Sequence, residues 1–112
     1  MMVELTKIRC VGCEGGIPAL SSDEINKLMP QINTWSVNTD GRFISKQFKF
    51  ADFHQTMAFV NAIAWVSHQE NHHPDLEVGY NYCHIKYTTH AVNGLTQNDF
   101  ICAAKIDALL QS

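Results

Sequence analysis

The sequence has no apolar run near the roughly 20 residues that a membrane-spanning helix requires, and its opening MMVELTKIRC lacks the charged-then-apolar order of a secretory leader. A cytoplasmic protein with no membrane partner is expected. Basic residues are also scarce: 8 Lys and Arg stand against 11 Asp and Glu, for a formal net charge of -3. No broad basic face is then available to neutralise phosphates, so nucleic acid is not an expected partner. Internal repeats and low-complexity segments are absent. With 46% hydrophobic and 17% charged residues, the composition excludes a disordered or fibrous chain, and 112 residues suffice for one core but not two. Cysteine is limited to Cys10, Cys13, Cys83 and Cys102. Without a secretion signal the thiols are expected to be reduced, and the core does not need disulfides.

What is present is a readable order of elements. Residues 1–20, which contain CVGCEGGIPAL, are rich in Gly and Cys and lack periodicity, so they read as an irregular N-terminal arm ahead of a single domain over 21–112. Ser21 or Ser22, followed by Asp23 and Glu24, resembles a helix cap, and Ile25, Leu28, Met29 and Ile32 recur at helical spacing, which predicts a short first helix ending near Pro30. TWSVNTDGRFISKQFKF holds two strand-like runs around Asp40-Gly41, a hairpin signal. Asp52 caps a longer helix whose buried face is expected to carry Phe53, Met57, Val60, Ile63 or Ala64 and Ser67. It should stop before His73, because the residue preceding Pro74 is disfavoured in the α region. LEVGY and YCHIKYTT read as two further strands, turning near Gly79 to Asn81, and Thr96 caps a last helix carrying Phe100, Ala103, Ala104, Ile106 or Asp107 and Leu110. The order α-β-β-α-β-β-α predicts an α+β fold: a four-stranded antiparallel sheet with three helices packed on one face.

Five of the six histidines fall in HQENHHPDLEVGYNYCHIKYTTH, His68 to His90. His68 and His72 have helical spacing, yet HQENH places Glu70 one residue too late for a zinc-protease motif, which rotates it about 100° around a helix. The H-x-E start also resembles a zinc deaminase, but no Pro-Cys-x-x-Cys follows. No metal is therefore expected. Cys10 and Cys13 form a CxxC without the strand and helix that flank a redox motif or a second ligand pair for zinc, and Cys83 reads as a small buried hydrophobe in a strand. Metal-free acid/base chemistry remains open, since an imidazole both gives and takes a proton near neutral pH. So does a plain reading in which His72 and His73 end a helix, where a cation is mildly favourable.

At NHHPD and the residues that follow, the sequence resembles the pterin-4a-carbinolamine dehydratase family. The family pattern of His-His-Pro, an aromatic, a later His and an Asp at the start of the last helix falls on His72, His73, Pro74, then Tyr80 or Tyr82, then His90 in TTHAVNGLTQND, and Asp99. The likeness extends through KQFKFADFHQTMAFVNAIA and covers roughly residues 21 to 110. It implies the same α+β fold and the loss of water from 4a-hydroxytetrahydropterin to give quinonoid dihydropterin, which restores the cofactor of aromatic amino acid hydroxylases. It also implies His72 and His90 as acid/base partners and His73 as a pterin-binding, charge-stabilising residue, with no metal or organic cofactor. His68, Pro74 and Asp99 are candidates for substrate binding or for supporting the catalytic histidines. For Asp99, three residues after Thr96, capping geometry favours a structural role over orienting a histidine. Two positions depart from many members: His68 replaces a Glu, and Leu76 replaces a Trp. The resemblance implies a homodimer or homotetramer, an aromatic amino acid hydroxylase as partner and, as an alternative to catalysis, a dimerisation or regulatory binding module.

Overall fold

The computed structural model describes residues 4–12 and 18–110. Strands β1 (Ser36–Val37), β2 (Ile44–Lys49), β3 (Asp75–Val78) and β4 (Tyr82–Tyr87) form one antiparallel sheet in the order β1-β2-β4-β3. Helices α1 (Ser22–Leu28), α2 (Phe53–Glu70) and α3 (Gln97–Leu109) complete the expected α+β order. Each helix begins where a side chain can satisfy its free N–H groups. Ser21 and Glu24 form a reciprocal capping box on α1, Asp52 accepts from the Gln55 N–H on α2, and Thr96 with Asp99 forms a second capping box on α3.

Alternation along the strands defines the buried face. Ile44 and Phe48 of β2 and Cys83, Ile85 and Tyr87 of β4 point inward, where they meet Phe59 and Ile63 of α2 and Phe100, Ile101 and Ile106 of α3. Trp35, Phe48, Tyr87, Phe59 and Phe50 form a connected set of aromatic contacts, with ring centroids 4.8 to 6.3 Å apart. Asp107 ties this side of the molecule together. Its carboxylate accepts from Trp35 Nε1 at 3.0 Å and from the Asn33 N–H at 3.0 Å, and it pairs with Lys46 Nζ at 2.9 Å.

Several local expectations are corrected. The buried stripe of α2 runs through Thr56, Phe59, Ile63, Val66 and Glu70, whereas Phe53 is exposed. Apolar residues on both faces, including exposed Phe53 and Trp65, blur the helical period that would mark the stripe. On α3, Leu110 is exposed, and burial extends around Phe100 to Ala104 because the N-terminal segment covers the side away from the sheet. β4 also stops at Tyr87, two residues short of the end expected from YCHIKYTT. Thr89 and Gly94 pair across a pinched loop, and His90 opens a 3₁₀ turn over His90–Val92.

The described part of the N-terminal segment is docked on the domain. A 3₁₀ turn over Leu5–Lys7 buries Leu5 in the core against α3. Cys10 donates its N–H to Glu70 Oε1 at 2.7 Å, and Val11 exchanges two hydrogen bonds with the Asn98 side chain at 3.0 and 2.6 Å. Glu70 is buried, but Lys105 Nζ at 2.7 Å and Arg9 Nε at 3.3 Å compensate its charge. Burial acts to raise its pKa, yet the Cys10 N–H and the two cations win and hold it below the ordinary carboxylate value.

Candidate active site

The C-terminal end of α2 delivers the paired histidines. Asn71 takes the left-handed conformation, with φ 52°, and the N–H groups of Asn71 and His72 both donate to the Ser67 carbonyl. This reversal ends the helix before Pro74 and separates the neighbouring side chains: His72 turns inward while His73 stays exposed. The His72 ring stacks on Tyr87, with centroids 5.7 Å apart and planes 10° apart. Its Nε2 lies 2.6 Å from Asp99 Oδ1.

Asp99 is wholly buried and fully used. Its second oxygen accepts from Thr89 Oγ1 at 2.8 Å and from the Thr96 N–H at 3.0 Å, while Thr89 and Thr96 hydroxyls lie 2.9 Å apart. Capping and orienting a histidine are therefore simultaneous, one by each carboxylate oxygen. Burial opposes protonation of His72, but the hydrogen bond and charge of Asp99 prevail and raise its pKa above the ordinary imidazole value. Facing a carboxylate oxygen, Nε2 carries the ring proton in the neutral form, which leaves Nδ1 as the basic nitrogen.

A cleft of about 620 Å³ opens beside this pair, lined by His72 and His73, by Thr88, Thr89 and His90 after β4, and by Cys10 to Gly12 of the N-terminal segment. The histidines expected to work together are thus gathered from two separate elements. Pro74 and Asp99 flank the cleft without lining it, and His68 is exposed on α2 against Trp65, with ring centroids 5.5 Å apart. Tyr80 and Tyr82 sit at the turn end of the β3–β4 hairpin, away from the cleft. The aromatic beside His72 is Tyr87, which the alternation of Cys83, Ile85 and Tyr87 could have placed on the inner face. Thr89 and Asn98 carried no motif, and no local signal marked them. Among the described residues no group of three or more His, Cys, Asp or Glu is arranged to hold a metal ion. Cys13 lies outside the described residues.

The model of the pterin 4 alpha carbinolamine dehydratase family matches residues 18–109, which include every histidine of the cleft. The chain belongs to this family. Relatives extend the match over nearly the whole length. The chain is 60% identical over 111 residues to a Legionella pneumophila (strain Lens) protein named "Putative pterin-4-alpha-carbinolamine dehydratase", covering 98% of each. It is 56% identical over 108 residues to a protein of the same name from Nitrosospira multiformis, covering 96% of this chain and 94% of that one. Among solved structures, a transcriptional coactivator/pterin dehydratase from Brucella melitensis superposes with a TM-score of 0.79 at 28% identity, over 83% of this chain and 99% of that one. A pterin dehydratase-like protein identified as a RuBisCO assembly factor in the alpha-carboxysome gives 0.62 at 27% identity, over 71% and 93%. The fold expected of a pterin dehydratase and the fold observed are the same.

Proposed function

We propose that this chain catalyses dehydration of 4a-hydroxytetrahydropterin to quinonoid dihydropterin by histidine acid/base catalysis, in support of cofactor recycling for aromatic amino acid hydroxylation. The observation that carries the reading is the buried His72–Asp99 pair opening onto a cleft shared with His73 and His90. The reaction needs two proton transfers: one proton goes to the departing 4a hydroxyl, and the N5 proton leaves as the C=N bond forms. His72 and His90 take these acid and base roles, and His73 binds the pterin and stabilises developing charge. Asp99 holds the His72 ring and supports its protonated form, and Pro74 fixes the backbone that carries His73. Only protons and water move, so side-chain acids and bases suffice.

Partners follow from the open sheet. β3 is an edge strand with all four residues exposed; its Leu76 and Val78 and the nearby Tyr80 are apolar groups 36%, 40% and 66% exposed. This supports assembly as a homodimer or homotetramer; the partnership with an aromatic amino acid hydroxylase in the cytoplasm follows from the proposed reaction instead. A second reading, a dimerisation or regulatory binding module without turnover, has support in the names of the two solved relatives, a coactivator and an assembly factor. A dehydration assay with chelator present separates the readings. The expected result is acceleration over the uncatalysed rate, falling by about 10² to 10⁴ in His72→Ala or His90→Ala while the circular dichroism spectrum is kept. Background rates from the wild-type protein would establish the binding module instead.

A further inference from the structure

Two thiols outside the proposed proton-transfer set meet where the N-terminal segment crosses α3. Cys10 Sγ lies 3.6 Å from Cys102 Sγ, although the residues are 92 positions apart. Cys102 is fully buried, whereas Cys10 is half-buried and lines the cleft, so a small molecule in the cleft reaches one sulfur and not the other. Hydrogen bonds from Cys10 and Val11 to Glu70 and Asn98 hold the segment in register at this contact. We infer that Cys10 and Cys102 form a redox-active dithiol site that closes to a reversible disulfide in exchange with small-molecule disulfides.

The chemistry balances with that oxidant alone. Cys10 Sγ attacks one sulfur of the small disulfide, forming a mixed disulfide and expelling one thiolate. Cys102 Sγ then attacks the Cys10 sulfur, the protein S–S bond forms, and the second small thiol departs. Both protein thiols lose their protons to the two departing thiols, and the two electrons reduce the oxidant. The Cys10 S–H supports a thiolate on Cys102 most strongly. Burial opposes this, the charge of His72 adds to it, and the Cys102 thiol is held below its usual value while that of Cys10 is pushed up. The proton of Cys10 can pass to Cys102 as Cys10 attacks. The bond would fasten one wall of the cleft, Cys10 to Gly12, to the helix that carries Asp99.

The test is to equilibrate the full chain in buffers of reduced and oxidised glutathione, quench with an alkylating agent, and map linked peptides by mass spectrometry. The site predicts a Cys10–Cys102 peptide with the loss of two hydrogens, reversed by reductant, absent in Cys10→Ser and retained in Cys13→Ser. Because the closed loop is long, the oxidised wild type should melt higher than the reduced form by about 5 °C or more, with no such difference in Cys10→Ser. A Cys10–Cys13 link, a persistent mixed disulfide, or reduced thiols throughout the series would each overturn the inference. None of these readouts depends on pterin turnover.

Discussion

At the scale of the residue, the buried Asp99 serves the start of α3 with one carboxylate oxygen and His72 with the other. Asp99→Asn keeps the shape but removes the charge facing His72, so the His72 pKa should fall, as followed by NMR titration of its imidazole. Turnover should drop less than in His72→Ala, and mispairing with Thr89 and the Thr96 N–H should cost about 1–3 kcal/mol in urea unfolding. The direction of pH dependence follows from the same pair. A His72 pKa raised above 6.5 contributes stability that is fully present below that value and is lost as pH rises through the folded-state pKa. Glu70 behaves in the opposite sense. Held below 4.5, it contributes stability above that pH, lost as acid titrates through its depressed value. The gap in urea midpoint between wild type and Glu70→Gln should therefore be widest near neutrality and should narrow below pH 4.5. A constant gap across that range would contradict the assignment.

At the scale of the element, the ends of helices place the side chains at the cleft. The left-handed Asn71 is what turns His72 toward Asp99 while His73 stays exposed. A β-branched residue there is strained, so Asn71→Val should destabilise by about 1–2 kcal/mol and lower turnover, while Asn71→Gly, which accepts positive φ, should stay near wild type. Comparing thermal melts and rates of the two variants isolates backbone conformation from side-chain chemistry. The hairpin between β3 and β4 shows the complementary demand for space. A Cβ on Gly79 would collide with the Tyr82 ring, so Gly79→Ala should lower the melting temperature without changing the cleft.

At the scale of the whole molecule, the N-terminal segment is part of both core and site. Leu5 is buried, and Cys10 to Gly12 form cleft wall, so removing residues 1–12 exposes core and opens the cleft together. Leu5→Ala alone should cost about 2–5 kcal/mol in urea unfolding and leave the cleft wall in place. Truncation should also impair substrate binding, seen as a raised KM that Leu5→Ala does not share. If the proposed oligomer forms through β3, a charged pair such as Leu76→Lys with Val78→Lys should lower the mass measured by light scattering.

By itself the sequence determined what local chemistry determines. The caps at Ser21 or Ser22, Asp52 and Thr96, the stop before Pro74 and the strand alternation yielded the order of elements, because each depends on residues within one or two turns. His72, His73 and His90 were legible only through a pattern spread across three elements, which spacing within any one of them could not decode. The tertiary structure decided the rest. It set the buried stripe of α2, since amphipathic signals fail where apolar residues occupy both faces, and it carried His90 past the strand into a turn. It joined Asp99 to His72 across 27 positions and Cys10 to Cys102 across 92, contacts set by how α3 and the N-terminal segment pack and encoded in no local stretch of chain.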